Sequence, residues 1–283
     1  MTPLRQQLIH CMQVRQFAPS TQRSYIDWVK QLAKAYHRSP DELSDDDLKQ
    51  FLWSLSIDKH LAGGSCYQAF YALRFFYQEV LGRVFQQRLL PPIKRTQKIP
   101  ELLSPEEVRL IITSCKKTKY RTVFSMCYGC GMRVGEVLAL RVSDIDGPQG
   151  IVHIHQGKGR KDRRIIIAEQ LLHILRKYWR THPSQEYLFY GTESFKPLGR
   201  SSVQKMYTKV KQQVGIQKRG GIHGLRHAFA THQLSAGMPL VQLQHMLGHK
   251  SIQTTLRYTH WLPNYQARDG AEFDLIGSLG LSL

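Results

Sequence analysis

What this chain has little of narrows its function first. Acidic residues number 21 against 40 lysines and arginines, a formal net charge of +19 over 283 residues. An excess of that size suits a partner with dense negative charge, nucleic acid above all. No apolar run approaches the roughly 20 residues of a membrane-spanning helix. With neither a basic amphipathic anchor nor a lipidation signal, a membrane partner is set aside. Met1-Thr2-Pro3-Leu4-Arg5-Gln6-Gln7 holds no apolar stretch of a secretory signal. The five cysteines are an odd number in a chain large enough to do without disulfide staples, which points to a reducing compartment and a cytoplasmic location. Cys127-x-x-Cys130 lacks a second ligand pair at matching spacing, so packing within a helix is preferred to zinc. A Walker P-loop, a carboxylate metal cluster and His-Glu-x-x-His are all missing, and with them the usual signatures of nucleotide hydrolysis and zinc catalysis.

A hydrophobic share of 42% with 10% aromatics is enough for two packed domains. Residues 1–90 read as helices. Ser20-Thr21 offers an N-cap before Tyr25, Trp28, Val29, Leu32 and Tyr36, whose spacing keeps one face apolar. Ser44 followed by Asp45-Asp46-Asp47 starts another helix, and the aromatic run Tyr67, Phe70, Tyr71, Phe75, Phe76, Tyr77 after Gly63-Gly64 reads as a core-packing helix. Residues 91–100 carry prolines at both ends and Lys94, Arg95 and Lys98 between them, a basic tether able to follow a phosphate backbone. Residues 101–283 form the second domain, opening on Leu103-Ser104-Pro105-Glu106-Glu107 with cap, N1 proline and early acids in order. Within it, β-branched runs at 151–155 and 163–168 flank Gly157 and Gly159, a hairpin with Lys158 at its tip. The fold class is therefore mainly α with a small β element (α+β).

The residues able to do chemistry gather in four places. Arg133 follows Gly131-Met132 and precedes an apolar helix face, with Glu136 one turn on to hold its plane. His223 and Arg226 stand three apart in Ile222-His223-Gly224-Leu225-Arg226-His227, and His249 follows Leu247-Gly248 at a helix end. Tyr258 lies nine residues further, before Thr259-His260. Two guanidinium groups can grip the oxygens of a phosphodiester bidentately. A phenol with a pKa near about 10 needs such cations and a proton acceptor before it can attack.

Taken in order, Arg133, Lys158, His223-x-x-Arg226, His249 and Tyr258 resemble the active-site set of the tyrosine recombinase (phage integrase) family, over nearly the whole chain. The resemblance implies a helical core-binding domain and a mixed α/β catalytic domain that together clamp double-stranded DNA. It implies a site-specific recombinase in which Tyr258 captures a strand as a 3′-phosphotyrosine, with no metal and no cofactor. Lys158 would protonate the departing 5′ oxygen, and His249 fills a place where some members carry tryptophan. Four protomers, a dimer on each site, would assemble on DNA. The layout is that of a simple two-domain member, without an arm-binding domain; it is similar to Xer and integron integrases, though without the extra helical insert of the latter. A type IB topoisomerase and a non-catalytic DNA-binding relic are the alternatives weighed against it.

Overall fold

The computed structural model describes residues 2–86, 89, 100–155 and 162–261. The tether at 91–99 and the hairpin tip with Lys158 lie outside the described residues. The chain divides into two compact units, residues 1–98 and 99–283.

The first unit is helical: α1 (Pro3–Val14), α2 (Pro19–Tyr36), α3 (Asp45–Ile57) and α4 (Gly63–Phe75), the last running on into a π-helical turn at Phe76–Val80. The Ser44 hydroxyl accepts the Asp47 backbone N–H while the Asp47 carboxylate takes that of Ser44, a capping box that fixes the start of α3. The N-cap read at Ser20-Thr21 is corrected. Helix α2 begins at Pro19, with Ala18 as its cap residue and no side-chain cap bond. Proline at the first position needs no donor and arrives with helical φ, so the serine one residue later is already inside the helix. Leu8, Met12, Leu32, Leu48, Leu52, Phe70, Leu73 and Phe76 build the core. The aromatic stripe is only partly core, since Tyr71 is 44% exposed.

The second unit opens with α5 (Pro105–Ser114) on a Ser104–Glu107 capping box. It continues through α6 (Thr118–Gly129), α7 (Val134–Ala139), the strands β1 (Ile145–Asp146), β2 (Ile151–Ile154) and β3 (Arg163–Ile166), and then α8 (Glu169–Thr181), α9 (Arg200–Gln213), α10 (His223–Ser235), α11 (Leu240–Leu247) and α12 (Ile252–Leu256). The strands form an antiparallel sheet in the order β1-β2-β3, with Val152 opposite Ile165 and Ile154 opposite Arg163. β1, two residues long, adds to the hairpin read from sequence. Helix α6 is buried from Thr122 to Cys127, and α5, α7, α8, α9 and α10 pack around it through Val108, Val137, Leu175, Val203 and Leu225. Cys127 and Cys130 belong to this core. Beside it a smaller cluster of Phe229, Leu234, Leu243, Leu247 and Tyr258 holds α11 and α12 against α10. Among the described residues no helix is long and apolar enough to cross a membrane.

Candidate active site

Two glycines shape the backbone around the site. Gly131 ends α6 with φ +60°, and a Cβ there would fall 2.3 Å from the Phe229 ring. That turn delivers Arg133 to the cap position of α7, where the Glu136 carboxylate accepts both the Arg133 backbone N–H at 2.9 Å and its guanidinium at 2.8 Å. Gly248 ends α11 with φ +63°, the left-handed stop that glycine adopts without strain, and it presents His249 back toward α10.

Arg226 sits one turn into α10 and is 1% exposed. A guanidinium so buried must be satisfied by the fold. It donates to the Gly131 carbonyl at 2.7 Å, the Leu247 carbonyl at 2.7 Å and His249 Nε2 at 3.0 Å. Because arginine has no acceptor, His249 Nε2 must be the unprotonated nitrogen, and Nδ1–H then donates to the Thr255 hydroxyl at 2.9 Å. Burial, followed by Arg226, Arg133 and Arg163, lowers the His249 pKa to about 3. Burial, with Arg133 next, lowers Arg226 to about 10, still fully charged at neutral pH.

Tyr258 follows α12 and is 3% exposed. Its ring stacks parallel to His249 at 6.2 Å between centroids and meets Trp261 edge-on at 5.0 Å. The phenol oxygen lies 3.0 Å from His227 Nδ1 and within the hydrogen-bonding reach of Arg226. Burial raises the phenol pKa, and the opposing pull of Arg226 and Arg133 does not cancel it. His223, exposed at the start of α10, sets its ring 4.5 Å from that of His227. Partial enclosure, then His227, Arg226, Arg133 and Arg200, lowers the His223 pKa to about 4.

Five of the six residues singled out in the sequence, Arg133, His223, Arg226, His249 and Tyr258, thus meet in one pocket of one chain. Lys158 is the sixth and is not described. Two participants were not singled out. Arg163 opens the second β-branched run of the hairpin, and it reaches Glu136 with two bonds, at 3.1 and 2.8 Å, and donates to the Met246 carbonyl. Strand alternation carries the signal: Arg163 and Ile165 turn inward while Arg164 and Ile166 are exposed. His227 is the other. It closes the motif that holds His223 and Arg226, and nothing in one sequence distinguishes a histidine facing a distant tyrosine from one facing solvent.

Glu136 therefore serves two arginines from a nearly buried position. Burial alone would raise its pKa, but Arg163, the Arg133 backbone N–H and the Arg133 guanidinium outweigh it and hold the carboxyl at about 2. Glu136→Gln leaves two partly buried guanidinium groups without counter-charge, a loss of about 2–3 kcal/mol. In a calorimetric scan the transition of this unit should drop by roughly 5–10 °C. A variant melting within a degree of the parent would show that the two ion pairs contribute nothing net.

This pocket of three arginines, three imidazoles and a phenol has counterparts among known proteins. The family model described as the phage integrase family matches residues 101–264, and that of the phage integrase N-terminal SAM-like domain matches residues 4–87. The chain belongs to the phage integrase family. The y4qK protein of Sinorhizobium fredii, an integrase/recombinase by name, is 37% identical over 277 residues, 98% of this chain and 90% of that one. A tyrosine recombinase of Pseudothermotoga lettingae is 30% identical over 95% of both chains. In fold, this integrase-family chain is similar to a lambda integrase solved as a tetramer bound to a Holliday junction, with a TM-score of 0.73 at 18% identity over 90% of this chain and 76% of that one. As a tyrosine recombinase, the enzyme carries out site-specific cleavage and rejoining of DNA.

Proposed function

We propose that Tyr258 is the nucleophile and that the pocket around it exchanges DNA strands through a covalent 3′-phosphotyrosine. The observation that carries this reading is the convergence of Arg133 and Arg226, which lie far apart in sequence, on the buried phenol of Tyr258, itself bonded at 3.0 Å to an imidazole. Attack puts added negative charge on the non-bridging phosphate oxygens. Arg226, locked by two backbone carbonyls, and Arg133, held by Glu136, meet that charge without having to reorganise. His223, on the open side, is placed to bond a phosphate oxygen, and His249 orders Arg226 through Nε2. Lys158 protonates the departing 5′ oxygen. The phosphotyrosine conserves the energy of the broken bond for rejoining, so no nucleotide, metal or other cofactor is required.

The partner is a pair of double-stranded DNA sites. Four protomers act on them, two to a site, as a homo-tetramer; the lambda integrase tetramer on a Holliday junction supports that stoichiometry. Residues 1–90 serve as the core-binding domain, 91–100 as its basic linker and 101–283 as the catalytic domain, and the enzyme works in the cytoplasm.

The test is to expose the protein to sheared genomic DNA, stop the reaction in denaturant, sequence the ends held covalently and map the modified peptide. A nucleotide remnant on Tyr258 is the expected result, and a remnant on any other residue overturns the assignment. Binding to a duplex of the mapped sequence should weaken steeply with salt, by roughly a thousandfold between 50 and 200 mM, as neutralised phosphates release counterions. Fluorescence anisotropy reads this directly, and a flat response would contradict a backbone-tracking clamp.

A further inference from the structure

We infer that His227 is a catalytic residue, the base that takes the proton of Tyr258 as the phenol attacks. This rests on Tyr258 being the nucleophile and goes beyond it, because it assigns the proton to one of three imidazoles in the pocket. His227 Nδ1 lies 3.0 Å from the phenol oxygen, within the range in which a proton can pass. The Arg226 guanidinium lies close enough to act on that oxygen, and since a guanidinium can only donate, it leaves the hydroxyl hydrogen directed at Nδ1. The other two imidazoles are placed for different work. His249 Nε2 is engaged by Arg226 and its Nδ1 by Thr255. His223 is exposed one helical turn before His227.

The groups facing His227 are His223 at 4.5 Å between ring centroids, Tyr258 at 5.7 Å, Trp261 at 5.5 Å and the Arg226 charge. Trp261 meets both the imidazole and the phenol edge-on and screens their shared bond from water. Burial, followed by Arg226, lowers the His227 pKa to about 4, so the ring is an empty acceptor at neutral pH. So weak a base does not ionise a phenol in advance. Transfer is concerted with attack, since forming the O–P bond makes the phenol proton acidic.

The balance is simple. The Tyr258 O–H bond breaks as its proton goes to Nδ1, the O–P bond forms, the bond from phosphorus to the 5′ oxygen breaks, and that oxygen is protonated by the general acid, the role proposed for Lys158. Rejoining runs the same steps backward, with imidazolium returning the proton to Tyr258.

The test is single-turnover cleavage of a nicked duplex carrying the mapped sequence, by the full chain and by His227→Asn. The asparagine amide oxygen can replace Nδ1 as acceptor of the phenol bond but cannot take the proton. If His227 is the base, the variant cleaves about a hundredfold or more slower, and its rate climbs with pH toward the ionisation of the phenol. The same defect should persist on a duplex with sulfur in place of the bridging 5′ oxygen, a leaving group that needs no acid. Cleavage at parental rate or faster would make the bond merely structural or a resting lock, and would overturn the proposal. So would a slow variant with an unchanged pH profile, or one restored by the sulfur substrate. His227→Gln, which offers an acceptor at a different reach, serves if the asparagine variant does not fold, and is read by the same pH and sulfur criteria. Each of these failures leaves Tyr258 as nucleophile intact, whereas failure to recover Tyr258-linked DNA would remove the parent reading itself.

Discussion

Tyr258→Phe yields no covalent protein–DNA adduct, while its affinity for the mapped duplex stays within about twofold of the parent. The reasoning starts from what a single oxygen does in this pocket. The ring belongs to the cluster with Phe229, Leu243 and Leu247 and is packed between His249 and Trp261, so phenylalanine fills the same space. The variant loses the bond to His227 and a contact from Arg226, worth about 1 kcal/mol of stability, too little to disturb DNA binding. On the proposed assignment, however, the reaction loses its nucleophile outright. The adduct therefore falls by about a thousandfold or more, to the floor of a denaturing gel. An adduct surviving in Tyr258→Phe would show that another group attacks, and neither clamps nor base would have a purpose.

The second large effect is acid instability that begins well above the carboxylate range. His227 and His249 have folded pKa values of about 4 and about 3 against an ordinary 6.5. Above pH 6.5 both are neutral folded or unfolded, and neither influences stability. As pH falls below 6.5 the unfolded chain takes up protons that the folded pocket refuses, so stability declines down to about pH 4. Each such histidine contributes a slope of up to about 1.4 kcal/mol per pH unit. Both rings keep some solvent contact, so together they give about 2 rather than the full sum. His223 adds to the same trend in a more exposed setting. Glu136 acts in a separate, lower window: its depressed pKa stabilises the fold above about 4.5, and that share is lost as pH drops toward about 2. Urea unfolding at pH 7.5, 6.5, 5.5 and 4.5 reads the upper window, and His249→Trp should reduce the slope by the share of one histidine. A midpoint unchanged between pH 7.5 and 5.5 would mean the imidazoles are far better solvated than their neighbours imply.

Much of this architecture was legible because the relevant signals are local. Ser104, Pro105 and Glu107 announce the start of α5, and Ser44 with Asp47 that of α3, since a capping box closes within four residues. Arg133, His223, Arg226, His249 and Tyr258 could be lifted from the chain because their family pattern stays in order. What escaped depends on partners far away in sequence. The base assignment of His227 needs Tyr258, 31 residues on. Arg163 gains its meaning only from Glu136, 27 residues before it. β1 is too short to show an alternation of its own, and Ser20 misled because the proline before it had already started the helix.

The two carbonyls that hold Arg226 come from opposite ends of the catalytic unit, Gly131 ahead of α7 and Leu247 at the close of α11. Proteins are synthesised from the N-terminus, and earlier segments fold before later ones exist. A ribosome that has passed Arg226 but not yet Leu247 carries a chain whose main cation is anchored on one side only and whose tyrosine has not been translated. The surroundings of Arg226 are thus completed only once Leu247, His249 and Tyr258 have been made, and a shorter nascent polypeptide lacks that cluster.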